Sequence, residues 1–213
     1  MNAGPLLSFE SSSMNSFALF TDGSLNPQRK LGIGAFLLVP TAFLEIMPHD
    51  IERRVISEQL RFKRFWNTSS TKLEVQTVLW ALKSFREEFT CSDPGCVRVY
   101  TDSQCVAGLL SRRAGLEAND FLAGRSGKQL LHAPLYRAFY AAHDEIGCEL
   151  IKVAGHSRPG SHDTVQRIFS YVDREVRRAL TLWRDEPGEE MDDGKIPDAQ
   201  KDTGARTPGN FGR

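Results

Sequence analysis

At 213 residues, with 27 acidic and 27 basic side chains and 40% hydrophobic residues, the chain can bury one sizeable core but is short for two enzyme domains. Its zero formal charge argues against a dedicated nucleic-acid coat protein, although local basic contacts can hide in that total. No apolar run reaches the roughly 18 residues of a membrane span, and residues 1–10 lack the pattern of a secretory signal, so a cytoplasmic protein without membrane contact is expected.

Residues 1–15 carry no periodicity and read as a flexible arm. Short apolar runs at 16–21 and 33–39, separated by Gly23, Asn26, Pro27 and Gly32, read as a hairpin with a longer loop. Residues 41–54, with Pro48, His49 and Asp50, read as an excursion of the next hairpin, and 56–66 contains an alternating third strand. A helical stripe at 71–89 places Leu73, Thr77, Trp80, Ala81, Leu82 and Phe85 together, with Ser70 or Thr71 as its cap. A Pro-Gly turn leads to a strand at 97–101. Helices follow at 103–113 and 135–146, then a strand at 148–154 and a long helix at 163–184 with Ile168, Tyr171, Val172, Val176, Leu180 and Trp183 on one side.

This order describes an α/β mixed sheet flanked by helices. Residues 186–213 are rich in Gly, Pro, Asp and Glu and read as a disordered polar tail, leaving 16–185 as the folded unit. Cysteines 91, 96, 105 and 148 lack zinc-ligand spacing and read as free thiols, and Trp66, Trp80 and Trp183 read as core or near-core residues.

Four acids stand out by their settings: Asp22 in Thr21-Asp22-Gly23-Ser24, Glu74 after Leu73, Asp102 in Thr101-Asp102-Ser103-Gln104, and Asp173 after Tyr171-Val172. Asp22 lies near the middle or end of the first strand, where Gly23 would let a substrate backbone approach. Glu74 falls in the first turn of a helix, Asp102 ends a strand where Ser103 can cap the next helix, and Asp173 projects from the last helix. Hard carboxylate oxygens aimed at one point are what divalent cations require.

With Gly155-His156-Ser157 added, these motifs make the chain resemble ribonuclease H of the bacterial and eukaryotic type 1 class, over about residues 16–183. The resemblance implies a ribonuclease H-like fold, a five-stranded mixed sheet with helices on both sides, and endonucleolytic cleavage of the RNA strand of an RNA-DNA hybrid. Two Mg²⁺ ions, with Mn²⁺ able to substitute, would share Asp22 between Glu74 and Asp102 on one side and Asp173 on the other. The products implied carry 5′-phosphate and 3′-hydroxyl ends.

His156, in a loop leaving the last strand, is the candidate for a proton shuttle during product release; His162 and Asp163 are its rivals. For contacts with 2′-hydroxyls in the hybrid's minor groove, the candidates are the amides of Gly23 and Ser24 together with Asn26, Ser70, Thr71 and Gln104. Arg112, Arg113, Arg125 and Lys128 flank Phe121 and could grip the DNA strand, although Glu117 and Asp120 dilute the cluster. A monomer is expected. Two other classes share this pattern: another nuclease or strand-transfer enzyme, such as an exonuclease, junction resolvase or transposase core, and a non-catalytic nucleic-acid-binding module.

Overall fold

In the computed structural model, residues 16–89, 96–124, 126–154 and 163–185 are described. Strands β1 (Phe17–Asn26) and β2 (Leu31–Pro40) pair antiparallel through a turn in which Asn26 Oδ1 accepts the Arg29 amide at 3.1 Å. Alternation along them serves two cores. Leu19 and Phe36 face one, while Ala18, Phe20, Ala35 and Leu37 face the other.

The excursion after β2 holds two short 3₁₀ turns, Thr41–Glu45 and Pro48–Asp50, and then a helix, α1 (Arg53–Gln59). The third strand expected from residue 56 therefore begins later, as β3 (Arg61–Phe65). Tertiary contacts explain the difference: Ile56 is buried in the second core, and the Arg53 guanidinium bonds the buried Glu175 at 2.7 Å. Both favour a helical turn over a longer ladder.

Helix α2 (Ser70–Glu88) buries Leu73, Thr77, Ala81, Leu82 and Phe85 as expected, and also Val75 and Val78. Its cap is Ser69, whose hydroxyl accepts the Lys72 amide at 3.4 Å, rather than Ser70 or Thr71. Strand β4 (Val97–Thr101) lies parallel to β1, and the next helix comes in two pieces, α3 (Gln104–Ala107) and α4 (Leu109–Ala118), broken where Gly108 leaves helical geometry. Then come α5 (Ala133–Ile146), β5 (Glu149–Lys152) and α6 (Thr164–Asp185).

The sheet order is β3-β2-β1-β4-β5, antiparallel through β3, β2 and β1 and parallel through β1, β4 and β5. One core joins α2 and α5 to one face; the other joins α1 and α6 to the opposite face. This is the mixed five-stranded sheet flanked by helices expected from the element order.

Two core expectations change. Trp66 is 49% exposed, standing edge-on against the buried Trp183 with ring centroids 5.3 Å apart. Cys96 is disulfide-bonded, while Cys105 and Cys148 are free thiols; Cys91 lies outside the described residues, as do the expected arm 1–15 and tail 186–213. Among the described residues, no helix is long and apolar enough to cross a membrane.

Candidate active site

The first two turns of α2 press onto β1 and β2 because glycines clear the way. Gly23 and Gly34 face each other across the hairpin. A Cβ on Gly34 would sit 2.1 Å from Thr77 Oγ1, one on Gly32 2.8 Å from Leu73 Cδ2, and one on Gly23 3.0 Å from Leu73 Cδ2. The space at Gly23, expected to admit a substrate backbone, is thus filled by α2. What these glycines admit is the helix that carries Glu74.

Glu74 is held at the carboxyl ends of the parallel strands by two hydroxyls. Ser70 Oγ donates to Oε1 at 3.0 Å and Ser103 Oγ to Oε2 at 2.5 Å. Ser103 Oγ also accepts the Val106 amide at 3.1 Å, so one side chain both caps α3 and orients Glu74. The β1–β4 ladder ends at Phe20 and Tyr100; continued two residues, its register sets Asp22 beside Asp102. Thr21, Asp22, Gly23, Glu74, Thr77, Thr101 and Asp102 line one small pocket. It opens at strand carboxyl ends beside the point where pairing changes from antiparallel to parallel, a usual place for ligands in open α/β sheets.

Asp173, on α6, reaches this pocket through its field. The Asp22 side chain keeps some solvent contact, yet burial of its carboxyl is the largest influence on its pKa, followed by the negative charge of Asp102. Asp173 adds to both, against the Gly23 amide and Arg177, and the result is a pKa raised from 3.8 to about 7. The Asp173 carboxylate itself accepts Arg177 Nε at 2.7 Å. That hydrogen bond, with the fields of Asp22 and Asp102, raises the Arg177 pKa.

Among the described residues, no three acidic, histidine or cysteine side chains already stand in a metal-holding arrangement. Asp173 is turned onto Arg177, and Glu74 onto its two serines. The donor set nevertheless fits a hard divalent cation. Burial, followed by the charges of Asp102 and Asp173, resists ionisation of Asp22, a cost that a bound cation would offset, and the buried Thr21 hydroxyl in the wall lacks a hydrogen-bond partner among the described residues.

The remaining expected residues divide. Ser24 is half-buried on β1, Asn26 uses its carbonyl in the β1–β2 turn, and Thr71 lies in the first turn of α2. Gln104 Oε1 accepts from Lys152 Nζ. Arg112 donates to the Gly108 and Cys105 carbonyls, and Arg113 to Asp144 and Glu117. Phe121 is buried beneath the Arg137 guanidinium, so the expected basic and aromatic grip is largely committed to the protein's own packing, with Lys128 exposed beside it. Asp163 caps α6, accepting the Gln166 amide at 2.7 Å. His156, His162 and Arg125 lie outside the described residues.

Sequence reasoning missed the anchoring role of Ser103 and the latch at Arg177. The latter had a signal, since Asp173 and Arg177 are four residues apart on a helix and so share a face.

The model of the RNase H family matches residues 14–167. The chain belongs to the RNase H family. The matched span takes in Asp22, Glu74 and Asp102 and ends before Asp173. It is similar to the solved structure of the foamy viral protease-reverse transcriptase in complex with dsDNA, at 14% identity and a TM-score of 0.48, covering 76% of this chain and 96% of that one. A likeness so loose says nothing of function. No curated protein matches this chain in sequence.

Proposed function

We propose that this member of the RNase H family is a type 1 endonuclease that hydrolyses the RNA strand of RNA-DNA hybrids, using two Mg²⁺ ions for which Mn²⁺ can substitute, and leaves 5′-phosphate and 3′-hydroxyl ends. The observation that carries this reading is the pocket shared by Asp22, Glu74 and Asp102, with Asp173 near enough to disturb Asp22 electrostatically. Asp22 would be the shared ligand, with Glu74 and Asp102 to one side and Asp173 to the other. When bound, the ions supply Lewis-acid activation of the attacking water and charge stabilisation at the leaving oxygen.

The chain's own contribution is preorganisation. Ser70 and Ser103 fix the orientation of Glu74 before any ligand arrives, which lowers the entropy lost on binding. Arg177 holds Asp173 beside the pocket and moderates its charge. His156 is proposed to carry a proton on its imidazole during product release, with His162 as the alternative. The amide of Ser24, together with Thr71 and Gln104, is proposed to face the 2′-hydroxyls of the hybrid. Residues 16–185 would form the catalytic unit, acting as a monomer.

The test is digestion of one labelled RNA as an RNA-DNA hybrid, an RNA duplex and a single strand, beside a DNA duplex and a branched DNA, each with and without Mg²⁺. The proposal expects internal cuts confined to the hybrid and dependent on the metal. A ladder from one end would indicate an exonuclease, and preference for branched DNA a resolvase. A gel shift of the hybrid without cutting would indicate a binding module.

A further inference from the structure

We infer that the outer edge of the sheet around Trp66 is a second nucleic-acid contact, which takes a single-stranded segment by stacking a base on the Trp66 ring and holding phosphates with the surrounding cations. β3 is the last strand of the sheet, and Phe62 pairs with Ala35, which pairs with Asp22, so the three lie in one row. Ala35 faces the core beneath α6, and alternation puts Phe62, Arg64 and Trp66 on that same side. Phe62 is 42% exposed and Trp66 49% exposed. The Trp66 ring is braced rather than loose: it stands edge-on against buried Trp183, and the Arg64 guanidinium lies 5.1 Å from the Trp183 ring centroid. A large aromatic ring held in place with an exposed face loses little freedom when a base stacks on it.

Charge selects the partner. Residues 60–73 include Arg61, Lys63, Arg64 and Lys72 and no acid, and residues 23–44 include Arg29 and Lys30 and no acid, in a chain whose formal charge is zero. The two stretches touch, since the Thr68 amide donates to the Lys30 carbonyl at 3.0 Å, and Lys72 Nζ donates to the Asn67 carbonyl at 2.9 Å. Arg64 shares the face of Trp66, whereas Arg61, paired with Glu88, and Lys63 lie on the opposite face of the strand over Phe36 and Trp80, so they add charge to the edge without touching a base stacked on Trp66. A polyanion suits such a strip, whereas a second copy would bring the same cations against it, and basic side chains on an edge strand oppose strand-to-strand pairing. A duplex offers phosphates but hides its base faces, so the exposed rings favour a single strand.

Phe62 and Asp22 lie two strand spacings apart, about 10 Å, close enough for a strand overhanging a hybrid at the pocket to reach the edge. The inference rests on the hybrid-cleavage reading only for the origin of that strand. Its test is therefore a binding measurement without divalent metal: fluorescence anisotropy of a labelled ten-nucleotide oligo-U and oligo-dT, against a blunt hybrid.

Trp66→Ala should weaken single-strand binding about tenfold, and Trp66→Phe, which keeps a ring, should weaken it less while leaving the fold intact. Arg64→Gln should weaken it and reduce the slope of log affinity against log salt by about 0.7. Leu131→Ala, at an 87% exposed position away from the strip, should change nothing. Blunt-hybrid cleavage should be the same in the Trp66 variants and wild type. Absence of single-strand binding by wild type, or equal binding by Trp66→Ala, would overturn the inference even if hybrids are cut. So would loss of a concentration-dependent dimer in Trp66→Ala without change in strand binding. Single-strand binding that depends on Trp66 in a protein that cuts no hybrid would uphold the contact and refute the cleavage reading.

Discussion

Asp173 Oδ1 accepts a 2.7 Å hydrogen bond from Nε of Arg177, one turn further along α6. The same guanidinium feels the charges of Asp22 and Asp102, so it acts as a resident counter-cation for the acidic centre. A divalent ion that recruits Asp173 must compete with it.

Arg177→Ala should therefore lower the Mg²⁺ concentration at the midpoint of metal-induced thermal stabilisation by about threefold to tenfold, equivalent to about 0.7 to 1.4 kcal/mol. The metal-free protein should lose little, because an exposed pair of this kind contributes at most about 1 kcal/mol. A higher midpoint in the variant would show that Arg177 supports the metal site instead of opposing it.

Asp22 predicts an unusual pH dependence in the metal-free protein. Its folded pKa of about 7 lies above the ordinary 3.8, so the folded state holds the extra proton between those values. Stability should accordingly fall as pH rises from about 4 to about 7 and level off above that. Allowing for solvent screening at this partly exposed side chain, the loss attributable to Asp22 is on the order of 2 kcal/mol. Asp22→Asn should remove that slope and melt higher than wild type at pH 8 without metal, while gaining less from added Mg²⁺. Denaturant titrations at pH 5 and pH 8, with and without Mg²⁺, measure all three effects.

Gly34→Ala should destabilise the protein by about 1 to 3 kcal/mol through overpacking, because the new Cβ meets Thr77 Oγ1 and the Phe65 ring. Lifting α2 from the hairpin would also carry Glu74 away from Asp22, so hybrid cleavage should fall further than stability alone explains. The double variant Gly34→Ala, Thr77→Ala should recover part of both losses. Melting temperatures and cleavage rates of wild type and the two variants decide it.

Ser103→Ala removes a cap and an anchor at once. The cap is expected to be worth about 1 kcal/mol, and release of Glu74 Oε2 should reduce cleavage by about tenfold. Ser70→Ala loses only the second anchor and should be milder. Equal rates in wild type and Ser103→Ala would remove Ser103 from the catalytic arrangement.

Much of this architecture could be read from local patterns. Alternation at residues 17–26 and 31–40 and the helical stripes of α2 and α6 are set by which side chains must leave water, and those periods are written along the chain. The settings of Asp22, Glu74 and Asp102 were legible for the same reason, since Asp22 lies within the first strand, Glu74 near the start of a helix and Asp102 just past the end of a strand. Features decided by distant partners were not. Ile56 and Arg53 become helical because of α6, including Glu175, more than a hundred residues away. Ser69 outranks Ser70 as a cap because the Ser70 hydroxyl is engaged by Glu74. Trp66 stays half outside because Trp183 already fills the space beneath it.

The most direct trial of the account is cleavage of a strand-labelled RNA-DNA hybrid in Mg²⁺ by wild type and by Asp22→Asn, Glu74→Gln, Asp102→Asn and Asp173→Asn side by side. The account predicts internal RNA cuts ending in 5′-phosphate for wild type, and losses of about 100-fold or more for each variant with hybrid binding retained. A wild-type rate in any of the four, Asp173→Asn above all, would contradict it.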